Sequence, residues 1–295
     1  MAIFWLGTSW KMNKTLEEAR GYARVLASRA DLAATGVDTG TAEVDTEVRR
    51  LGAEPAGVGT EAAGVEVFVV PPFTALALVA RELAGCRVRV GAQNMHWAEE
   101  GAGTGEISAR MVRDCGATLV ELGHSERRVA FGETDCTVNL KVHAALRVGL
   151  RPLICVGDTA QERTFGVSAE SVVRQVKMAL HEVAAADMPR ALIAYEPVWA
   201  IGDAGTPAEP DYAAKIHAAI RAALADLAPE SGRRVPILYG GSVNLSNAAS
   251  FCGIANVDGL FVGRAAWRAQ GLLDLKCVVD RAIGCPRGGA ASVAP

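Results

Sequence analysis

The stretch RPLICVGD, residues 151–158, decides the fold because the chain repeats its pattern eight times. Each copy is a short run of β-branched or aliphatic residues that ends in polar or glycine residues and is followed by a helical pattern. The other copies are IFWLGTSW (3–10), VEVFVVPP (65–72), RVRVGAQN (87–94), TLVELGHS (118–125), RALIAYEP (190–197), RVPILYGG (234–241) and VDGLFVGR (257–264). Near-continuous apolar runs are typical of parallel strands that are buried on both faces. Eight strand–helix units in this length predict an α/β fold, a single (β/α)8 barrel.

Apolar residues three or four positions apart predict amphipathic helices between these strands. The first helix follows Thr15, whose hydroxyl can cap its start. Its apolar stripe, which would face the strands, consists of Leu16, Ala19, Ala23, Leu26, Ala27 and Ala30. Similar stripes occur at about 74–84, 135–148, 169–186, 211–227 and 271–283. These helices would cover the outside of the barrel.

Two segments lack this alternation of predicted strands and amphipathic helices. Residues 31–64 are rich in glycine, alanine, threonine and acidic residues, which predicts a surface insertion in one domain that spans residues 1–285. An irregular segment this long is unusual in a compact domain, but it precedes the second strand, at the end of the barrel away from the expected active site. Residues 286–295 have no periodicity and are expected to form a disordered tail.

Composition and charge exclude several classes of protein. Hydrophobic residues make up 50% of the 295 residues, charged residues 21%, and the net charge is -3. The chain is therefore neither disordered nor suited to bind nucleic acid over its surface. No uncharged apolar run reaches the roughly 18 residues of a membrane span, and the N-terminus does not resemble a signal peptide. We expect a cytoplasmic protein with no membrane partner.

The seven cysteines are odd in number and scattered, and they form neither a C-x-x-C pair nor a cluster with histidines. They are Cys86, Cys115, Cys136, Cys155, Cys252, Cys277 and Cys285. This distribution predicts reduced thiols and no metal site.

The carboxyl ends of the predicted strands carry the candidate chemical groups, because a barrel of this kind assembles its active site there. In strand order the candidates are Lys11, Asn94, His124 with Glu126, Glu196, Gly240 with Gly241 and Ser242, and Gly263. The set contains a cation, an imidazole, carboxylates and two glycine-rich turns. Together these groups could hold a phosphate and move a proton.

Three of these side chains suit proton chemistry next to a carbonyl group. Lys11, held by the packing of Trp10 and Met12, could neutralise a phosphate or a developing enediolate, although it could also be a solvated surface charge. His124 would begin a helical turn, which favours the neutral imidazole, but it could equally be a satisfied core histidine. Glu196 ends an apolar strand, where partial desolvation would raise its pKa and make it a better base for a C–H proton.

Two glycine-rich turns are candidates for phosphate binding. Residues 239–242 (YGGS) and 259–263 (GLFVG) allow a close approach of backbone N–H groups to an anion. Either turn alone is weak evidence. Two successive turns, after strands 7 and 8, match the place where this barrel architecture commonly binds phosphate.

Eight motifs resemble those of triosephosphate isomerase, in the same order along the chain. They are SWKMN (9–13), GAQNMHW (91–97), TGEIS (104–108), LGHSERR (122–128), FGET (131–134), AYEPVWAIG (194–202), YGGSV (239–243) and GLFVG (259–263). The resemblance covers nearly the whole chain apart from the insertion and the tail. It implies a TIM-barrel isomerase that needs no cofactor and acts on a small phosphorylated sugar.

The resemblance also implies roles for individual residues. Lys11 would stabilise charge, His124 would polarise the carbonyl and shuttle a proton, Glu196 would be the base, and Glu126 would support the site. The stretch that resembles the family's active-site lid comprises Pro197, Val198, Trp199, Ala200, Ile201 and Gly202, with Tyr239 as its latch. An ordinary loop that leads into a helix is the alternative. The residues that would bind phosphate are Gly202, Gly241, Ser242 and Gly263.

The segment from Asn94 to Ser108, with Thr104 near its tip, resembles the family's loop that inserts into a second subunit. A homodimer is therefore implied. Met95, His96 and Trp97 could instead be simple packing residues of this loop.

Three residues depart from the family pattern. Ser9 replaces the usual asparagine beside the reacting carbons and leaves space for one extra hydroxymethyl group. Asp203 adds an acid next to the lid, so we expect it to point away from a bound phosphate or to pair with a cation. Arg264 replaces the second glycine of a pair, and its guanidinium could hold Asp203, contact phosphate or lie on the surface.

These departures resemble the branch of the family that isomerises L-erythrulose 1-phosphate to D-erythrulose 4-phosphate in erythritol breakdown. We therefore expect this reaction. The first alternative is triosephosphate isomerase activity, a step of glycolysis. The second is a phosphosugar-binding protein without turnover, which the altered phosphate loops suggest but the intact Lys11, His124 and Glu196 oppose.

Overall fold

The computed structural model describes residues 3–33, 64–202 and 205–284, and within these ranges eight parallel strands close a barrel in sequence order. The strands are β1 (Phe4–Ser9), β2 (Val65–Val70), β3 (Val88–Ala92), β4 (Leu119–Leu122), β5 (Arg151–Val156), β6 (Leu192–Tyr195), β7 (Ile237–Tyr239) and β8 (Gly259–Val262). The predicted (β/α)8 barrel is confirmed. Each strand is shorter than the stretch predicted for it: the last one to three residues of every stretch lie in the loops above the barrel, and in six of the eight the first one to three residues precede the strand.

Ten α-helices lie within the described ranges. They are α1 (Leu16–Ala27), α2 (Phe73–Glu82), α3 (Ala109–Asp114), α4 (Ser125–Phe131), α5 (Asp135–Arg147), α6 (Ala160–Thr164), α7 (Ser168–Ala179), α8 (Pro210–Leu227), α9 (Ala248–Cys252) and α10 (Ala269–Gly284). The five later apolar stripes correspond to α2, α5, α7, α8 and α10. Helix α7 ends at residue 179 rather than at 186.

The start of α1 confirms the predicted cap and corrects part of the predicted stripe. The Thr15 hydroxyl accepts a hydrogen bond from the Glu18 N–H, and the Glu18 carboxylate accepts one from the Thr15 N–H at 2.7 Å. Leu16 is 53% exposed, so its place in the stripe is wrong. The residue at the centre of the buried face is Tyr22, whose ring packs on Trp10 and whose hydroxyl donates to the Ala266 carbonyl. Leu16 lies at the edge of that face.

The barrel interior is filled by side chains from alternate strand positions, because successive residues of a strand point to opposite faces. These apolar residues are Trp5, Phe68, Val70, Leu119, Leu153, Cys155, Leu192, Ala194, Leu238 and Phe261. The same alternation directs Ser9 on β1 and Glu121 on β4 inward, near the carboxyl ends of their strands. Both side chains are buried.

Several sequence predictions fall on residues outside the described ranges: most of the 31–64 insertion, Asp203, Cys285 and the 286–295 tail. Residues 31–33 of the proposed insertion are described, and Leu32 packs in the hydrophobic core. Leu32 is buried, and its carbonyl accepts a hydrogen bond from the Arg87 N–H at 2.7 Å. None of the described helices has the length and apolarity needed to cross a membrane.

Candidate active site

A cavity of about 570 Å³ opens at the carboxyl ends of the strands. It is lined by eleven of the residues singled out from the sequence: Ser9, Lys11, His124, Glu126, Glu196, Ile201, Gly202, Gly240, Ser242, Gly263 and Arg264. These residues come from five different strand ends, which the barrel brings to one face. The other candidates do not line the cavity: Asn94, Thr104, Gly241, Tyr239 and residues 197–200.

Lys11 follows β1 in a left-handed backbone conformation, with φ of 53°. This conformation is unfavourable for a residue with a Cβ and is typical of functional sites. The Gln93 side chain donates to the Lys11 carbonyl at 3.0 Å, and the Lys11 ammonium lies 2.6 Å from Oε1 of Glu126. Trp10 is buried as predicted, but Met12 is 97% exposed and does not pack the strand end. Gln93 and Glu126 hold Lys11 instead.

His124 precedes α4 as its N-cap residue. Its Nδ1 accepts a hydrogen bond from the Glu126 N–H at 3.2 Å, so the proton of a neutral imidazole resides on Nε2. Burial lowers the pKa of His124, and the charge of Lys11 lowers it further. The ring is therefore a neutral donor whose Nε2–H faces the cavity.

Glu196 follows β6 and is 5% exposed. Its Oε2 lies 3.2 Å from Nε2 of His124 and makes no aligned hydrogen bond with any residue of the described ranges. Burial raises the pKa of this carboxyl to about 8, with a further contribution from the charge of Glu121. A buried carboxylate without a hydrogen bond is a strong base, poised to accept a proton from a bound molecule.

Close packing explains the two glycines after β7. A Cβ on Gly240 would lie 2.7 Å from Cγ of Glu196, and a Cβ on Gly241 would lie 2.4 Å from the Tyr239 hydroxyl oxygen. Only glycine therefore fits at these positions. Whether their N–H groups bind phosphate stays a prediction. Ser242, the next residue, is left-handed with φ of 49°.

The segment 197–202 contains a single 3-10 turn, Val198–Ala200, and two hydrogen bonds attach it to the opposite rim. The Ser242 hydroxyl donates to the Ala200 carbonyl at 2.5 Å, and Nη2 of Arg264 donates to the Gly202 carbonyl at 2.6 Å. Arg264 begins a 3-10 turn and has a negative φ. The backbone at this position is therefore compatible with a residue that carries a Cβ. The sequence did not predict this contact between Arg264 and the lid segment. The predicted pairing with Asp203 involves a residue outside the described ranges.

The base of this segment is anchored on Asp158, a residue that was not among the candidates predicted from the sequence. This fully buried carboxylate accepts hydrogen bonds from Tyr195, Trp199, Tyr212 and Ser168 at 2.8–3.1 Å. The Tyr239 hydroxyl, in contrast, lies beside the Ala208 backbone N–H without forming a well-aligned hydrogen bond, and its ring stacks on Phe251. Its role as a latch stays a prediction.

The loop between β3 and α3 is buried at its base and exposed at its tip. Asn94 accepts a hydrogen bond from the Lys141 ammonium at 2.8 Å, and Met95 is fully buried. Residues 97–106, including Thr104, are exposed. An insertion of this tip into a second subunit stays a prediction.

Glu121 is the most unexpected residue near the cavity. It is 3% exposed, and its Oε2 accepts a hydrogen bond from the Ser9 hydroxyl at 2.8 Å. Burial raises the pKa of Glu121 to about 7. The sequence carried a signal for it: a charged residue in the middle of the apolar run TLVELGHS, two positions after Leu119 and on the same inward face.

Fold and site together define a barrel enzyme that moves protons on a small molecule. The triosephosphate isomerase family model matches residues 41–278. An L-erythrulose-1-phosphate isomerase of Mesorhizobium japonicum is 48% identical over 92% of this chain and 96% of its own length. A second, from Rhizobium rhizogenes, is 47% identical over 93% of this chain and 94% of its own length. The crystal structure of triosephosphate isomerase from Bartonella henselae superposes with a TM-score of 0.76 at 31% identity, covering 94% of this chain and 99% of that one.

The chain belongs to the triosephosphate isomerase family. The resemblance stated from the sequence motifs is therefore confirmed.

Proposed function

We propose that this chain is a cofactor-independent isomerase that interconverts L-erythrulose 1-phosphate and D-erythrulose 4-phosphate. The observation that carries the proposal is the 48% identity, over 92% of the chain, to a relative named L-erythrulose-1-phosphate isomerase. The cavity of about 570 Å³ has the size of a site for a small phosphorylated sugar. Triosephosphate isomerase activity is the alternative to be tested against it.

The phosphate would bind where the lid segment meets the turns after β7 and β8. The proposed ligands are the backbone N–H groups of Gly202, Gly241, Ser242 and Gly263. The guanidinium of Arg264 lies at the same end of the cavity and adds a positive charge. The carbon chain would then extend from this end toward Ser9, past the imidazole and the carboxylate.

The reaction requires one proton to move between two neighbouring carbons. In L-erythrulose 1-phosphate the carbonyl is at C2, and the Glu196 carboxylate would remove the proton from C3. The electron pair of the C3–H bond forms a C2=C3 double bond, and charge develops on the C2 oxygen, where His124 Nε2–H and the Lys11 ammonium can stabilise it. The imidazole would transfer the hydroxyl proton from O3 to O2. Glu196 would then return its proton to C2, leaving the carbonyl at C3.

The lid segment would protect the intermediate. An enediol phosphate readily loses its phosphate, so the site must exclude water during the reaction and open again for release of the product. The hydrogen bonds of Ser242 and Arg264 to the carbonyls of Ala200 and Gly202 support this role, because they attach the segment to the rim of the cavity. Both donors stand next to the proposed phosphate site, so lid position and phosphate binding would be coupled.

The choice of a four-carbon substrate rests on the end of the cavity remote from the phosphate. Ser9 lines this part and is smaller than the asparagine usual in the family. The smaller side chain leaves room for the hydroxymethyl group that distinguishes a tetrulose phosphate from a triose phosphate.

The proposed function also implies an oligomeric state, a cellular location and a metabolic process. The exposed tip at residues 97–106 would insert into a second copy of the chain and form a homodimer. The enzyme would work in the cytoplasm, in the breakdown of erythritol. Size measurement during dilution tests the dimer, and a fully active monomer would contradict it.

Side-by-side turnover assays test the activity. The purified protein is incubated with L-erythrulose 1-phosphate, dihydroxyacetone phosphate or glyceraldehyde 3-phosphate in heavy water, and NMR follows the product and the deuterium bound next to the carbonyl. We expect the tetrulose phosphate to give the higher kcat/KM. Higher kcat/KM for the triose phosphates would support the alternative activity. Absence of exchange with all three compounds would indicate a binding protein.

A further inference from the structure

The Glu121 carboxyl group is buried inside the barrel, although the proposed reaction gives it no direct contact with the substrate. Transfer of a carboxylate from water to a protein interior costs several kcal/mol unless hydrogen bonds and opposite charges compensate. Within the described ranges Glu121 forms no ion pair. Its contacts are the Ser9 hydroxyl at 2.8 Å and the Cys155 thiol at 4.0 Å. An apolar residue would fill this position at lower cost, which points to a function.

The hydrogen bond to Ser9 joins two strands that are not neighbours in the barrel. β1 pairs with β2 and β8, whereas Glu121 lies on β4. The bond therefore crosses the interior directly beneath the cavity. Ser9 lines the cavity and Glu121 does not, so Glu121 reaches a bound molecule only through Ser9.

The direction of this hydrogen bond determines what Ser9 can bind. A serine hydroxyl has one proton to donate and two lone pairs that accept. The proton is used toward Glu121, so the lone pairs remain for the cavity. A carbonyl or enediolate oxygen, which only accepts, would be repelled here, whereas a hydroxyl group of the substrate could donate to Ser9.

We propose that Glu121 is a positioning residue that makes the Ser9 hydroxyl a hydrogen-bond acceptor for the terminal hydroxymethyl group of a four-carbon ketose phosphate. This inference rests on the proposed function, because only the tetrulose phosphate carries that group at the end remote from the phosphate. Dihydroxyacetone phosphate is the same ketose phosphate without it. Specificity then comes from a fixed acceptor as well as from the space that Ser9 leaves.

The test compares kcat/KM for L-erythrulose 1-phosphate and dihydroxyacetone phosphate in Glu121→Val, Ser9→Ala and the double variant. Where the triose phosphate is not turned over, its inhibition constant replaces kcat/KM. Assays at about pH 9 keep Glu196 ionised in every variant. A change in the pKa of Glu196 therefore does not alter the measured kcat/KM ratio. We expect each single variant to lower the ratio of tetrulose to triose phosphate at least tenfold. The double variant should lower it little further, because both changes remove one interaction.

Two further variants separate this role from a structural one. Glu121→Gln keeps the volume and an acceptor oxygen, so it should recover most of the wild-type ratio. Glu66→Gln, which changes a carboxylate on β2 outside the cavity, should leave the ratio as in the wild type. Equal losses for both substrates, or additive effects of the Glu121 and Ser9 changes, would overturn the inference. A wild-type protein without activity on the tetrulose phosphate would overturn the proposed function itself.

Discussion

Nε2 of His124 lies 3.2 Å from Oε2 of Glu196, and both side chains are buried. The backbone N–H of Glu126 donates to Nδ1 of the same imidazole, so the proton on Nε2 points toward the cavity that the carboxylate also faces. A proton donor and a strong base thus face one small volume from two different strand ends. This arrangement allows a proton to be taken from carbon while the neighbouring oxygen receives one.

Replacement of Glu196 by glutamine removes the base and keeps the shape of the side chain. We expect kcat to fall by at least about 10²–10⁴-fold, the usual contribution of general-base catalysis. Binding of dihydroxyacetone phosphate, measured by calorimetry, should persist. Near-normal turnover in this variant would remove Glu196 from its proposed role.

The pH dependence of kcat/KM should reflect the raised pKa of Glu196. Burial, together with the charge of Glu121, raises this pKa to about 8, so the basic form of the carboxyl is gained only as the pH rises through that value. Activity should therefore decline below about pH 8 rather than near the ordinary range of a glutamate.

The contribution of the Glu121 charge to the pKa of Glu196 can be measured from the same pH profile. Glu121→Gln removes it and should move the acid limb to lower pH for both substrates alike. An acid limb that stays at the same pH would show that burial alone sets the pKa.

Arg264 should matter for retention of the intermediate, because it holds the Gly202 carbonyl of the lid segment. We expect Arg264→Leu to lower kcat/KM about tenfold and to increase the inorganic phosphate released per turnover, since a looser lid admits water. The exposed Arg268, which does not line the cavity, provides the matched control in Arg268→Leu. Identical phosphate release in both variants would argue against a role of Arg264 in closure.

Ser9→Asn tests the space beside the reacting carbons. The larger amide should fill the volume proposed for the terminal hydroxymethyl group, so preference should move from tetrulose toward triose phosphate. The measurement is the ratio of the two kcat/KM values. A loss of the same size on both substrates would defeat the volume argument.

Glu121 should also make stability depend on pH. Its pKa in the folded protein is about 7, above the ordinary 4.5, so folding takes up a proton between these values and the free energy of unfolding decreases as the pH rises through them. Glu121→Gln avoids the burial of a charge. It should raise the free energy of unfolding by up to about 3 kcal/mol at about pH 8 and should change it little at about pH 4. Urea unfolding at both pH values checks this, with Glu66→Gln as the control. An equal gain at both would mean that Glu121 has the same pKa in the folded and in the unfolded protein.

Much of the fold could be predicted because burial on both faces leaves a pattern in the sequence. A strand covered by helices must be apolar along its length, as in RPLICVGD, and eight such runs have few ways to close. The candidate site residues followed from the same pattern, because the ends of parallel strands meet at one face. The sequence alone therefore predicts that Lys11, His124 and Glu196 lie close together.

Contacts between distant residues could not be predicted in this way. Arg264 donates a hydrogen bond to the Gly202 carbonyl, and Ser9 donates one to Glu121 across the barrel. Asp158 accepts hydrogen bonds from four side chains. Each depends on side-chain direction and on distances across the closed sheet, which no local pattern encodes. The exposure of Leu16 and Met12 has the same cause, since an apolar residue is buried only where the tertiary structure offers a partner surface.

The sequence by itself determined the barrel, the family and the identity of the three side chains suited to proton transfer, because these depend on local periodicity and on motifs. Only the tertiary structure decided the proton position on His124, the contribution of the Glu121 charge to the raised pKa of Glu196 and the direction of the Ser9 hydrogen bond. The physical reason is that protonation and hydrogen-bond direction depend on burial and on neighbouring charges. Those neighbours come from strands far apart in the chain, and only closure of the barrel brings them into contact.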